Sequence, residues 1–208
     1  MKNQKLIRFV EALILLPMVS MSGGVGNIPT NPSHDINQAS PFVFLQKQNN
    51  LALNLFAFNQ AVEEDAQNRK LKAEAIDTYF RERDMPLEGY GMKMVLEAEK
   101  NDLDWRLLPA IAVRESTGGK YECKRVENSA FGWGSCKINF SSNEEAIETV
   151  ALNLGGNNPN TAKYYENKNT EQILRAYNPP RIVPRYVHQV MSIMKAIGEL
   201  EIVIPTNV

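Results

Sequence analysis

The residues best placed to do chemistry lie between Asp104 and Gly119, in the stretch Asp-Trp-Arg-Leu-Leu-Pro-Ala-Ile-Ala-Val-Arg-Glu-Ser-Thr-Gly-Gly. On a helix, Leu108, Ile111 and Glu115 follow one another at steps of three and four, so the carboxyl group shares a face with apolar side chains. Desolvation raises the pKa of such a carboxyl, and the negative end of the helix dipole acts in the same direction. A Glu kept protonated near neutral pH can act as a general acid, the group that cleavage of a glycosidic bond requires. The competing reading is a helix-end Glu in solvent or paired with Arg114 or Lys120, and spacing by itself leaves both open.

A hydrolase also needs a nucleophile or a base for water at a defined distance from the acid. Glu122 and Glu127 follow Glu115 in a loop, and Glu127 is the candidate second carboxylate; the alternative for each is a solvated loop charge. Phe131, Trp133, Tyr121, Tyr164 and Tyr165 could stack on sugar faces or serve as core. Trp133 is the strongest of these, because the flanking Gly132 and Gly134 let ring and backbone approach a ligand. Cys123 and Cys136 close a short loop if the compartment is oxidising and remain free thiols if it is not. No metal site is expected, since His34 and His188 stand far from the cysteines.

The positioning elements read as helices. From about Gln46 to Arg83, apolar residues at Leu51, Leu55, Phe58, Val62, Ala66, Ala73, Ile76 and Phe80 recur at helical spacing. That stripe could pack on its own domain, which ranks first, or form a coiled coil interrupted at Arg69, or rest on a membrane. Met85 to Gly91 breaks the pattern with Pro86, Gly89 and Gly91. Further helices are expected over Met92 to Asn101, over Trp105 to Ser116 behind an Asp104 cap, opening at a Ser142 to Glu145 capping box, after a Thr170 cap, and with Pro184 in the first turn of the last. Tyr121 to Phe140 resists a helical reading and could hold a small hairpin. The fold class is therefore mainly α, with at most a hairpin: residues 46–84 form a long amphipathic helix, 85–200 a compact helical domain, and 201–208 a tail.

Ala110-Ile-Ala-Val-Arg-Glu-Ser-Thr-Gly-Gly119, with the Asp-Leu-Asp-Trp-Arg-Leu-Leu approach before it, resembles the helix of the lytic transglycosylase and goose-type lysozyme superfamily. Asn128-Ser-Ala-Phe-Gly-Trp-Gly134 is similar to its Gly-rich turn lining the sugar cleft, and Ala176-Tyr177-Asn178 to its Ala-Tyr-Asn motif. The resemblance spans roughly Pro86 to Ile197. It implies a lysozyme-like domain that needs no cofactor and cleaves peptidoglycan glycan strands, with Glu115 as catalytic acid and Tyr177 beside it. Ser116, Phe131, Trp133 and Asn178 are then the substrate-binding candidates. The Leu-Met-Gln usual after the Gly in transglycosylases is absent here. Ala130-Phe-Gly132 followed by Phe140-Ser-Ser-Asn-Glu-Glu-Ala-Ile147 resembles instead the endo-β-N-acetylglucosaminidases of the same superfamily. The two relatives cut different linkages with a comparable Glu; a wall-binding module without catalysis is the remaining alternative.

Composition narrows the setting. The 208 residues carry 23 basic and 24 acidic side chains with no basic block, which argues against nucleic acid as a partner. Lys2, Lys5 and Arg8 precede a run from Phe9 to Met21 that is apolar apart from Glu11 and shorter than the roughly 20 residues of a spanning helix. Residues 1–22 are thus expected to be a signal peptide or a membrane anchor, and 23–45, with its Gly, Pro, Ser and Asn, a flexible linker. The protein is expected outside the cytoplasm, periplasmic, wall-associated or anchored.

Overall fold

A computed structural model describes the backbone of residues 41–203 and the side chains of residues 54–201. The expected leader, most of the linker and the end of the tail lie outside the described residues. The chain divides into two units, residues 1–47 and 48–208, and the candidate site belongs to the second.

Among the described residues, eight helical segments follow in order: α1 (Pro41–Arg81), α2 (Gly91–Lys100), α3 (Leu107–Ser116), α4 (Trp133–Cys136), α5 (Asn143–Leu154), α6 (Ala162–Tyr165), α7 (Thr170–Tyr177) and α8 (Tyr186–Val203). The mainly helical class is as expected, and no strand occurs among the described residues. The hairpin is absent: the arms at 126–128 and 138–140 share a backbone bond from Phe140 N–H to Glu127 O at 3.4 Å, and side chains of Asn128 and Asn139 supply the other links. Side-chain amides replace a strand ladder there, so no register repeats.

α3 is the centre of the fold. Leu107, Leu108, Ala110, Ile111 and Ala112 are all fully buried, and the helix packs against α8, α2 and α5. Apolar residues on every side leave Leu107 to Ala112 without a solvent face, and the two alanines let neighbouring helices come close. Pro109 stands in the first turn, where its missing N–H breaks no intrahelical bond. Asp104 does not cap this helix directly. Its carboxylate accepts from Arg106 N–H at 3.0 Å and pairs with the Arg106 guanidinium, so the helix starts two residues after Trp105.

Other ends also differ in detail. Ser142 caps α5 through Glu145 N–H, but the Glu145 carboxylate turns back to Ser141 rather than to Ser142, so the expected capping box is half formed. The reciprocal box occurs at α7, where Asn169 and Gln172 exchange bonds; Asn169 is the cap, and Thr170 is the first helical residue. α8 begins two residues past Pro184 and runs on to Val203, into the expected tail.

α1 starts at Pro41, earlier than the hydrophobic stripe suggested, and lives in two environments. Ala73, Ala75, Ile76, Tyr79 and Phe80 are buried in the core, whereas every residue from Asn54 to Asn68 is exposed. The stripe therefore packs on its own domain over its last two turns, and Leu55, Phe58, Val62 and Ala66 do not. α1 is also tied to α2: Asp77 Oδ1 accepts from Gly89 and Gly91 N–H, both at 2.9 Å. A Cβ on Gly91 would stand 2.3 Å from Ala73 O, so only glycine lets the two helices approach this closely. Among the described residues, no helix is long and apolar enough to cross a membrane.

This partition makes a direct prediction. Ile76→Ala should cost about 2–5 kcal/mol in urea unfolding, and Phe56→Ala less than about 0.5 kcal/mol. Equal losses would mean that the exposed and buried parts of α1 do not differ as described.

Candidate active site

Glu115 occupies the last turn of α3, and an open cleft of about 460 Å³ lies over it. Gly132, Trp133, Gly134, Ser135, Tyr165, Tyr177, Asn178, Pro179 and Ile182 line the cleft with it, so among the described residues Glu115 is its one acidic side chain. The Tyr186 hydroxyl donates to Glu115 Oε1 at 2.6 Å. Burial pushes the Glu115 carboxyl above its ordinary range, while the Tyr186 hydrogen bond and the charge of Arg114 pull the other way. The neighbouring cations do not pair with it: Arg114 Nε donates to Gln189 Oε1 at 2.8 Å, and Lys120 Nζ to Arg83 O at 2.7 Å. The solvent-exposed or ion-paired reading of Glu115 is therefore set aside.

The helix end is held by Ser116. Its hydroxyl lies within 2.7 Å of Ala130 O and 3.1 Å of Ala112 O, and it accepts from Gly119 N–H at 2.9 Å. Ser116 is only 3% exposed, so it fastens the 129–132 turn to α3 and does not face a ligand, which corrects its expected role. Thr117 closes the helix in the left-handed region at φ 55°, its N–H bonding back to Val113 O. Gly132 turns the chain over the carboxylate: its φ is 59°, and a Cβ there would stand 3.2 Å from Glu115 Oε2.

Aromatic rings wall the cleft. Trp133 packs against Tyr177 at 5.7 Å and Tyr165 at 6.3 Å between centroids, and Tyr177 stacks on Tyr186 at 6.0 Å with 13° between planes. Tyr177 donates its hydroxyl to Phe131 O, locking α7 to the turn that carries Gly132 and Trp133. Burial and the neighbouring Glu115 raise the Tyr177 and Tyr186 phenols, so both stay protonated as donors, and burial pushes Tyr165 up to about 12. Phe131 itself is 1% exposed and belongs to the core; its carbonyl, rather than its ring, serves the site.

Of the expected residues, the structure brings Glu115, Tyr177, Trp133 and Asn178 together and leaves out Ser116, Phe131 and Glu127. Glu127 is exposed and outside the cleft, its segment occupied with Asn139 and Phe140. Glu122 Oε2 accepts from Ser129 N–H at 3.1 Å, which engages that carboxylate in the loop. Tyr121 and Tyr164 are exposed away from the lining. Cys123 and Cys136 form a disulfide, with Cα atoms 5.8 Å apart. It anchors α4, where Gly134, Ser135 and Cys136 all have positive φ; for the two residues other than glycine this conformation costs about 1–2 kcal/mol each. Tyr186, the direct partner of Glu115, was missed from sequence. Its usable signal is a tyrosine opening an apolar helix, Tyr186-Val-His-Gln-Val190, shortly after Ala-Tyr-Asn.

Two outcomes follow. Because the Tyr186 hydrogen bond favours the ionised carboxylate, Tyr186→Phe should move the Glu115 midpoint upward in a ¹³C-carboxyl NMR titration; an unchanged or lower midpoint would contradict the described contact. Replacing both cysteines by serine should cost about 3 kcal/mol in reversible unfolding. Compared with known proteins, the chain matches no family model, no curated protein and no solved structure.

Proposed function

We propose that this cleft cleaves the glycan strands of bacterial peptidoglycan, with Glu115 as the catalytic acid in a lysozyme-like helical domain. The observation that carries this reading is the Glu115 carboxyl itself: half-buried, raised by desolvation, held by Tyr186 and open to an aromatic-walled groove. A raised carboxyl delivers a proton to a glycosidic oxygen near neutral pH. Trp133, Tyr165 and Tyr177 offer flat apolar surfaces suited to sugar faces, and Asn178 at the α7 end offers an amide for an acetamido group. The disulfide favours an oxidising compartment, in keeping with action outside the cytoplasm.

Among the described residues Glu115 is the one carboxylate lining the cleft, which favours a mechanism in which the substrate supplies the second group. Glu115 protonates the leaving oxygen as the glycosidic bond breaks. The N-acetyl oxygen of the same sugar stabilises the oxocarbenium-like carbon, and the ionised Glu115 then removes a proton from the attacking hydroxyl. If that hydroxyl belongs to water the product has a reducing end; if it is the muramoyl 6-hydroxyl the product is a 1,6-anhydro sugar. The Tyr186 hydroxyl supports the ionised half of this cycle, whereas burial supports the protonated half.

Turbidity loss of isolated cell walls tests the reading. Glu115→Gln should lower the rate by about 10²- to 10⁴-fold, and equal rates for wild type and variant would overturn the assignment. The wild-type rate should fall as pH rises through the Glu115 pKa, because the acid is then lost, and Tyr186→Phe should carry that limb to higher pH. Mass spectrometry of the released muropeptides identifies the sugar at the new end, and with it the N-acetylmuramyl or N-acetylglucosaminyl linkage.

A further inference from the structure

The segment from Trp133 to Ile138 is tied down at its two ends and not along its length. Gly132 before it belongs to the stretch that Ser116 and Tyr177 fasten, its N–H donating to Ser129 O at 2.9 Å, and Asn139 after it accepts through Oδ1 from Glu127 N–H at 2.6 Å. Residues 134–139 are all exposed, and among the described residues no hydrogen bond joins 133–138 to another element. Ile138 folds over Gly134, where a Cβ would stand 2.6 Å from Ile138 Cδ1, so that contact stays inside the segment. The covalent tie across the chain is Cys136, bonded to Cys123. Cys123 stands on the fixed side: its N–H donates to Ser129 Oγ at 2.9 Å, and Tyr121 N–H donates to Ser116 O at 2.8 Å.

That bond holds a backbone the local sequence does not favour. Ser135 and Cys136 both have φ 59°, in the left-handed region, where a residue with a Cβ is penalised and glycine is not. Without the cross-link both return to ordinary backbone angles, and the exposed segment regains chain entropy. Against this stand the contacts of Trp133, a half-buried ring tilted against Tyr177 at 5.7 Å and Tyr165 at 6.3 Å, and pairs of that kind are individually weak. Relaxation of two penalised residues outweighs them.

We propose that the Cys123–Cys136 disulfide is a redox latch on the cleft: oxidised, it holds Trp133 against Tyr165 and Tyr177; reduced, it releases residues 133–138, so the aromatic wall opens while Glu115 keeps Tyr186. Cys136 is exposed and Cys123 half-buried, so a dithiol reductant attacks the Cys136 sulfur. The S–S bond breaks, Cys123 leaves as a thiolate that takes up a proton, and the second thiol of the reductant displaces Cys136 from the mixed disulfide. The protein gains two electrons and two protons, the reductant ends as a disulfide, and a disulfide oxidant reverses the exchange. Gly132 stays over the carboxylate, because Ser116 and Tyr177 hold its turn from α3 and α7. A reduced chain thus keeps the acid and lacks the wall for a sugar face. That loss of glycan cleavage rests on the function proposed above, whereas the release of Trp133 does not.

Indole fluorescence of the full chain, oxidised and after dithiothreitol, tests the latch. In Trp105→Phe, whose remaining indole is Trp133, reduction should shift emission to the red and increase quenching by acrylamide. In Trp133→Phe, which leaves Trp105 packed on the core, neither should change. Trp133 emission and quenching that ignore reduction would overturn the proposal, and so would an equal change at Trp105, because the whole domain would then be opening. The indole ¹⁵N–¹H resonances of the wild type give the same answer without a substitution: one of the two should move on reduction, and neither or both moving would contradict the latch. Wall turbidity loss should slow on reduction and recover with oxidised glutathione, and Cys123→Ser/Cys136→Ser should keep the reduced rate with or without dithiothreitol. An active enzyme whose rate reduction leaves unchanged would also overturn it. Oxidised protein that lyses no wall, with Trp133 still released on reduction, would count against the glycan-cleaving reading and leave the latch standing.

Discussion

A carboxylate in the last turn of a helix whose first six residues are buried on every side is the constraint on which the rest of this structure depends. Residues 107–112 of α3 are apolar on every side because three helices pack around them, and those contacts fix the direction in which the last turn points. Glu115 leaves that turn into partial burial, where ionisation is penalised by lost hydration and by the carbonyl end of the helix. A group in that position persists only if something compensates, and the compensation is specific: a phenol from the first turn of α8 and a guanidinium one residue away. Both come from structure already required to bury α3, so the site is an extension of the core rather than an addition to it.

The same logic explains the turn opposite the carboxylate. Residues 129–133 have little regular structure, yet they must hold a glycine backbone and an indole ring steady above Glu115. Ser116 reaches them from α3, Tyr177 from α7, and the Cys123–Cys136 link closes the loop behind them. Each tie comes from a different element, so none of them alone defines the geometry. Left-handed backbone at Gly132, Gly134, Ser135 and Cys136 is affordable in this setting because the surroundings over-determine it.

α1 shows how one periodic pattern can serve two environments. The helical spacing of apolar residues runs from Leu51 to Phe80 with a break at Arg69, yet its C-terminal turns meet α2 and the core while Leu55, Phe58 and Val62 meet none of it. Asp77 and Gly91 explain the first half: a carboxylate collecting two backbone N–H groups, beside a position with no side chain, locks the helices at that crossing. Beyond Arg69 in the N-terminal direction, no comparable neighbour is present among the described residues.

By itself the sequence determined the helical class, most helix positions, the cysteine pairing open to an exported chain, and Glu115 as the residue to watch. These are local properties: a period of 3.6, a cap, a glycine stop and a carboxylate on an apolar stripe are written in residues a few positions apart. Tertiary structure decided what depends on distance across the chain. Ser116 and Phe131 share a motif with site residues but turn into the core, and Glu127 sits close in sequence to Glu115 yet outside the cleft. Tyr186, 71 positions away, supplies the contact that Arg114 and Lys120 do not. Residue order singles out Glu115 as a candidate, but only the packing of α8 against α3 determines which side chain reaches it, because that choice belongs to helix crossing and not to any local pattern.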